Sequence, residues 1–293
     1  MGLFDDDDDN AGRGSRSELP ITPRPLTISL AVLWFVIVAV ASLSLFALTA
    51  AVRESASSDI VNAVACQAAA YLACVWVMLR LHAPDRPLAD AIGLRPTHPA
   101  LYVLAFLLGV ALQVPADWLQ FLVGKVWPLP AEMLEEQHRM LSMSSPLQRI
   151  MVPFVVAGLG PAVEETFFRG VLHTGLRKTH GSVIVVLIVS ALFAGAHASP
   201  QLFIPLFAVG LVLTVLRAMS GSLLPSLIAH MAFNAVAVIS LMMQGDTPDD
   251  ASQPLPLPIS AGGIGATVVL LVGAAIVAWK SARAQKARQE DAV

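Results

Sequence analysis

Long apolar runs recur along almost the whole of this 293-residue chain. An α-helix needs about 20 consecutive apolar residues to cross the hydrocarbon core of a bilayer. A helix also satisfies its own backbone hydrogen bonds, which a bilayer cannot do for it. The runs therefore predict an all-α, polytopic integral membrane protein with about eight transmembrane helices. The predicted spans are residues 27–51, 60–81, 99–123, 147–175, 182–199, 201–218, 222–243 and 259–280.

Composition supports the membrane class and argues against a nucleic-acid partner. Only 13% of the residues are charged, whereas a soluble domain carries about 25%. The formal net charge is -3, and we find no basic groove of the kind that binds a phosphate backbone. The lipid bilayer is the partner that this composition predicts.

The polar segments divide the chain into five predicted parts. The first contains the run Asp5–Asp9, which is typical of a solvated tail and unlike a secretory signal. The parts are a disordered acidic tail (1–25), N-terminal transmembrane helices (26–89), a central core (90–243), a flexible outer loop (244–258), and a last transmembrane helix with a basic tail (259–293).

Basic residues are divided unevenly between the two sides of the predicted membrane domain. With eight spans, thirteen Lys and Arg residues lie on one side and four on the other; with Arg169, which lies inside a span, they account for all 18. Short cytoplasmic loops carry an excess of Lys and Arg. The bias predicts a multi-pass protein of the cell membrane with both termini in the cytoplasm.

Three charged residues lie within six positions of the predicted span 147–175, namely Glu164, Glu165 and Arg169. A charged side chain at the centre of a membrane helix costs about 2.5–3.5 kcal/mol on insertion scales, so such residues usually mark function. Glu165 and Arg169 are four apart, in the order that favours an ion pair. Glu164 is rotated by about 100° from its neighbour. We therefore interpret Glu165–Arg169 as a supporting pair and Glu164 as the carboxylate available for chemistry.

Two histidines and an amide lie well inside later apolar runs. His197 belongs to the fifth predicted span, and His230 and Asn234 share one face of the seventh. At 1.5 Å per residue, Glu164, His197 and His230 lie about 18, 22 and 12 Å from their predicted inner helix ends. These depths predict that the side chains converge on one buried cavity that contains water.

Two chemistries suit this set of side chains. In the first, Glu164 is a general base that takes a proton from water, with a neighbouring imidazole to orient that water. A second imidazole and an amide would then stabilise the oxyanion formed when an amide bond is attacked. This route requires no cofactor. In the second, Glu164, His197 and His230 hold a catalytic zinc ion, although the helical motif His-Glu-x-x-His is absent.

The order of these residues resembles a known family. Glu-Glu-x-x-x-Arg ends at Arg169, Phe-x-x-x-His ends at His197, and His-x-x-x-Asn ends at Asn234. On three separate apolar segments, these motifs resemble those of the CPBP family, which includes CAAX prenyl endopeptidases of the Rce1 type and related bacterial intramembrane proteases of the Abi group. The resemblance covers roughly residues 90–243, which makes the central core a CPBP-like protease core.

The resemblance implies a role for each matching residue. Glu164 would activate the water together with His197, while His230 and Asn234 would stabilise the oxyanion. Glu165 and Arg169 would support the site. The implied activity is hydrolysis of a peptide bond in a membrane-anchored protein or peptide, by CAAX-type processing or by removal of a C-terminal segment or leader.

Two other classes of protein compete with a protease. A non-catalytic membrane protein, such as a bacteriocin immunity factor, would use the same fold to bind a partner. A transporter would show two related halves with interrupted helices, and no such repeat is visible. The intact motif residues favour the protease, and a substitution that removes only the base distinguishes it from a binding protein.

Overall fold

The computed structural model describes residues 24–141, 143, 145–244 and 256–290, and these residues form helices and loops without a β-strand. Residues 1–23 of the predicted acidic tail (1–25) and most of the predicted loop 244–258 lie outside the described residues. The described α-helices are α1 (Ile28–Val52), α2 (Ile60–His82), α3 (Leu88–Ile92), α4 (Pro99–Val126), α5 (Ala131–Met140), α6 (Pro146–Pro153), α7 (Gly160–Glu165), α8 (His173–Leu176), α9 (Ser182–Gly195), α10 (Phe203–Ser220), α11 (Leu223–Gln244) and α12 (Leu257–Glu290).

Within the described residues, seven helical segments are long and apolar enough to cross a membrane. One of them is the continuous run Pro146–Leu176, hereafter the motif helix, which joins α6, α7 and α8. The others are α1, α2, α4, α11, α12, and α10 with the turn before it. The prediction of an all-α polytopic membrane protein is confirmed.

Helix α9 is shorter than the span predicted at 182–199. It has 14 residues, which is about 21 Å at 1.5 Å per residue, against a hydrocarbon core of about 30 Å. The chain turns at Ala198, whose φ of 50° is left-handed, and Pro200 then fixes an extended Ser199 before it. The prediction of a full-length fifth span is wrong at this end, and His197 lies in the turn after the helix.

The motif helix contains two stretches of wider, π-helical turns. They cover Phe154–Leu159 and Thr166–Leu172, on either side of α7. Such turns are rare and occur often at functional sites, because they displace side chains and free backbone carbonyls. The two stretches bracket the pair of glutamates. Proline contributes to the first of them, because Pro161 has no N–H to donate to the preceding turn.

The motif helix lies between two clusters of buried apolar side chains. One cluster joins it to α1, α2 and α9, and the other is formed by α4, α10, α11 and α12. The most apolar windows of α1 and α12 are only 11% and 17% buried, compared with 39% for the motif helix. The outer helices therefore present their apolar surface to lipid and leave the charged helix in the centre.

Two predicted boundaries differ from the observed helices. The boundary between residues 89 and 90 falls inside the short helix α3. The last helix begins at Leu257 and continues to Glu290, so most of the predicted basic tail is helical. The tail contains no Gly or Pro that would end the helix, and Lys, Arg, Ala and Gln are all good helix formers.

Close packing of α4 against α11 depends on Gly109. A Cβ atom at this position would overlap the backbone oxygen of Ala229 and approach the Cβ of Ala232 to 2.9 Å. Gly124, on the same helix, has no such neighbour within 4 Å. Gly109 is therefore closely packed against α11, whereas Gly124 on the same helix has space for a side chain.

We expect Gly109→Ala to lower the thermal midpoint of the detergent-solubilised protein, because overpacking costs about 1–3 kcal/mol. Gly124→Ala is the matched control and should leave the midpoint unchanged or raise it, since alanine favours a helix by about 1 kcal/mol over glycine. Differential scanning fluorimetry measures both. Equal midpoints for the two variants would contradict the assigned packing of α4 on α11.

Candidate active site

The adjacent glutamates of the motif helix point to different neighbours. Glu164 is nearly buried, and its Oε1 accepts a hydrogen bond from Nε2 of Gln67 on α2 at 2.9 Å. Glu165 is fully buried and faces Arg169 instead. The rotation of about 100° between successive helical residues produces this division. The Glu164 carboxylate is therefore fixed by a hydrogen bond from an amide, and the Glu165 carboxylate is fixed by an ion pair.

Arg169 and Glu165 form a buried ion pair in the centre of the protein. Nη1 of Arg169 donates to Oε1 of Glu165 at 2.8 Å, and both side chains are 0% exposed. The remaining donors of the guanidinium reach the Thr214 hydroxyl and the Gly210 carbonyl, each at 3.2 Å. The guanidinium also lies 4.3 Å from the centre of the Phe193 ring. The guanidinium group of Arg169 thus connects the motif helix to α9 and α10.

His230, on α11, lies against both glutamates. Its Nδ1 is 3.0 Å from Oε1 of Glu165, and its Nε2 is 3.9 Å from Oε2 of Glu164. An ionised carboxylate only accepts hydrogen bonds, so Nδ1 is the donor and the tautomer of a neutral ring is defined. Nε2 then faces Glu164 beyond hydrogen-bond length. The arrangement leaves Oε2 of Glu164 and Nε2 of His230 free to contact a third group beside them.

His197 lies near the cluster, but among the described residues no hydrogen bond or ion pair joins it to Glu164 or Glu165. His197 is exposed in the turn after α9, and its Nδ1 lies 3.1 Å from the Phe193 carbonyl oxygen. The rings of His197 and His230 both meet Phe193 edge to face, with centroid distances of 5.2 and 5.5 Å. Phe193 therefore separates the two imidazoles, and it holds each at a defined angle.

Asn234 closes a gap in the backbone of the motif helix. Its Nδ2 donates to the Val156 carbonyl at 2.8 Å. One position earlier, the Gly160 N–H donates to the Val155 carbonyl, five residues back. The next donor in this π-helical register would be Pro161, which has no N–H. The Asn234 amide replaces that donor.

The three side chains of the zinc alternative, Glu164, His197 and His230, do not converge on one point. No group of three or more His, Cys, Asp or Glu side chains within the described residues is close enough together to hold a metal ion. Glu164 and His230 approach each other, but His197 is turned towards the Phe193 carbonyl. The described arrangement does not fit a zinc site made from Glu164, His197 and His230, and we derive no step through a metal.

Sequence reasoning missed Gln67 as part of the site. The signal available was a polar amide near the middle of the apolar run 60–81. Spacing could not connect it with Glu164, because the two residues are 97 positions apart. Only the packing of α2 against the motif helix brings the amide to the carboxylate.

The fold and this cluster define a polytopic helical membrane protein with a buried site of carboxylates, imidazole and guanidinium. Residues 146–236 match the family model described as type II CAAX prenyl endopeptidase Rce1-like. All three sequence motifs fall inside this segment, so the resemblance to the family is confirmed, over a shorter stretch than the predicted 90–243. This part of the chain is similar to an Rce1-like domain.

A further comparison gave a relative of undefined function. The chain is 28% identical over 180 residues to an uncharacterized 24.3 kDa protein of Escherichia coli, covering 58% of this chain and 75% of the relative. No solved structure matches this chain.

We expect Arg169→Gln to lower the yield and thermal midpoint of the purified protein strongly, because removing one partner of a buried ion pair costs about 3–5 kcal/mol. Arg53→Gln is the matched control. Arg53 also contacts a carboxylate, that of Asp59 at 3.2 Å, but its side chain is 60% exposed, and such pairs contribute at most about 1 kcal/mol. Similar losses for both variants would contradict a special role for the buried pair.

Proposed function

We propose that this protein is an intramembrane endopeptidase that hydrolyses a peptide bond of a membrane-anchored protein or peptide. CAAX-type cleavage, or removal of a C-terminal segment or leader, is the proposed class of reaction. The family match supports a protease of the CAAX type. The observation that carries the proposal is the Glu164 carboxylate, which is held at Oε1 by Gln67 and open at Oε2 beside His230.

The proposed reaction begins with a water molecule at Oε2 of Glu164. The carboxylate takes a proton from this water as the oxygen attacks the carbonyl carbon of the scissile bond. A tetrahedral oxyanion forms, and the C–N bond then breaks. Glu164 returns the proton to the leaving amine. No cofactor is required for these steps, and both the metal-free route and the catalytic use of these residues are proposals.

The second N–H of Asn234 is suited to the oxyanion because its first N–H already fixes the amide on the motif helix. A preorganised donor stabilises developing charge without reorganising at the moment of reaction. His230 stabilises the same charge when its Nε2 carries a proton, since its Nδ1 already donates to Glu165. His197 assists Glu164 with the water, after the substrate or the turn at Ala198 has moved its ring closer.

Glu165 and Arg169 support this chemistry without touching the substrate. Glu165 orients His230 through Nδ1, and Arg169 neutralises Glu165. With a neutral imidazole, the two glutamates and Arg169 carry one net negative charge; with an imidazolium, they carry none. A proton on His230 therefore leaves the buried cluster neutral, which suits a ring that stabilises an oxyanion.

The proposed location is the cell membrane, with both termini in the cytoplasm. Two termini share one side only if the chain crosses an even number of times, so this orientation requires the short helix α9 and its turn to cross as an eighth span beside the seven longer segments. Unequal numbers of basic residues on the two sides support this orientation. The substrate would then meet the site within the bilayer, where the helices bury the cluster away from both surfaces.

The first test compares protein termini in membranes from cells that carry the native chain or Glu164→Gln. Glutamine keeps the shape and accepts the hydrogen bond from Gln67 but cannot take a proton from water. New termini should be present with the native chain and absent with the variant. Glu135→Gln, at an exposed position on α5, is the matched control and should give the native pattern.

Identical termini for the native chain and a folded, expressed Glu164→Gln protein would sink the protease proposal. The result would favour a non-catalytic binding role, such as immunity to a bacteriocin, since binding does not need the base. Mass spectrometry of terminal peptides reports the substrate and the cleaved bond in the same measurement.

We expect Gln67→Ala to reduce turnover of the identified substrate about tenfold, since one hydrogen bond to a carboxylate corresponds to about 1.5 kcal/mol or more. The loss should appear in kcat more than in KM, because Gln67 positions Glu164 rather than the substrate. Gln113→Ala is the control: Oε1 of Gln113 is buried and has no hydrogen-bond partner among the described residues. Equal turnover in both variants would show that Gln67 does not position Glu164 for the reaction.

A further inference from the structure

A small cavity lies at the ends of α2 and α8, on the side of the protein where most basic residues lie. Its enclosed volume is about 20 Å³, which is room for about one water molecule, and the space above it is open to solvent. Leu26, Met78 and Val171 form an apolar floor, and Arg86 and Lys178 lie at the rim. Gly175 makes this floor possible, because a Cβ there would come within 2.7 Å of Leu26 Cδ2.

The two cations at the rim have no acidic partner. Among the residues that the structure describes, no carboxylate lies within ion-pair distance of Arg86 or Lys178. Burial, and then the neighbouring Arg86, hold the pKa of Lys178 below its usual value. Two like charges that converge on one cavity without a counterion leave a net positive site.

A hydroxyl group adds a donor to the same cavity. Thr174 lines it, and its Oγ1 accepts a hydrogen bond from Nη2 of Arg217 at 3.1 Å. The hydroxyl hydrogen of Thr174 is thus left to donate. Two cations and one hydroxyl donor match the acceptor oxygens of a phosphate group, which charge-assisted hydrogen bonds bind strongly.

Aromatic residues place the cavity at the membrane surface. Trp34 Nε1 donates to His82 Nε2 at 3.2 Å, and His82 is the last residue of α2 and lines the cavity. Trp76, with Arg80 over its ring at 5.5 Å, lies near the same helix end. Tryptophan is enriched where headgroups meet hydrocarbon. The rim is therefore at headgroup level and the apolar floor is beneath it.

We propose that the mouth of this cavity binds the phosphate headgroup of an anionic phospholipid, with Arg86, Lys178 and Thr174 as its ligands. The tryptophans place this mouth at the level of the lipid headgroups, which favours a lipid over a free phosphate ion. Basic pockets between transmembrane helices on the cytoplasmic side bind such headgroups. The predicted orientation places the cavity on that side. The proposal does not depend on the proteolytic activity.

The test measures lipid binding by the full chain purified in an uncharged detergent. Dioleoylphosphatidylglycerol is titrated against the protein, with dioleoylphosphatidylcholine in a parallel series, and binding is followed by native mass spectrometry and by the thermal midpoint. The native protein should bind the anionic lipid more tightly. Arg86→Gln with Lys178→Gln should weaken that binding roughly 30-fold, from the contribution of two cations near an anionic headgroup.

The control variant is Arg283→Gln with Lys286→Gln, which removes the same two types of charge from the helical tail of α12. It should bind the anionic lipid as the native protein does. Arg86→Lys with Lys178→Arg keeps both charges and should retain most of the affinity, which separates loss of charge from loss of fold.

Three results would overturn the proposal. The first is equal affinity for the two lipids in the native protein. The second is equal loss of binding in the cavity and tail variants, which would show general attraction to positive charge. The third is inorganic phosphate at millimolar concentration raising the thermal midpoint as far as the anionic lipid and displacing it, which would assign the cavity to a free phosphate.

Discussion

The buried ion pair between Glu165 and Arg169 is the interaction on which the rest of the site depends. Two fully buried charges are tolerated at the centre of a membrane protein only when they are paired and hydrogen-bonded. The Thr214 hydroxyl and the Gly210 carbonyl accept further hydrogen bonds from the guanidinium, and the ring of Phe193 lies against its face. The motif helix, α9 and α10 are thereby fixed relative to one another. His230 is then oriented by the same carboxylate that pairs with the arginine.

The π-helical turns of the motif helix explain why an asparagine and an arginine are needed nearby. Widened turns free backbone carbonyls, which cannot be satisfied by lipid. Asn234 donates to the Val156 carbonyl, and Nε of Arg217 donates to the Arg169 carbonyl at 3.1 Å. These polar residues beside the glutamates therefore stabilise an irregular helix. In the proposed reaction, Asn234 has a catalytic role in addition to this structural one.

Most of the fold and part of the site could be predicted from the sequence. Apolar runs predicted each of the helices that cross the membrane, because the bilayer requires length and hydrophobicity that are visible residue by residue. The spacing of Glu165 and Arg169 predicted their contact, since residues four apart on a helix are neighbours. The length of α9 was not predicted, because the apolar run continues past Gly195 and only the turn at Ala198 ends the helix. Asn234 was predicted as a site residue, but its bond to Val156 was not.

The sequence by itself determined that this is an all-α membrane protein and which residues carry its charge inside the bilayer, because both follow from local composition and helical periodicity. Tertiary structure alone decided which neighbour each charge meets. Gln67 reaches Glu164 across 97 positions, His230 rather than His197 faces both glutamates, and Arg86 approaches Lys178 at one cavity. These contacts join helices that are far apart in the sequence. They form only when the folded chain packs the surfaces of those helices together, so local sequence patterns do not reveal them.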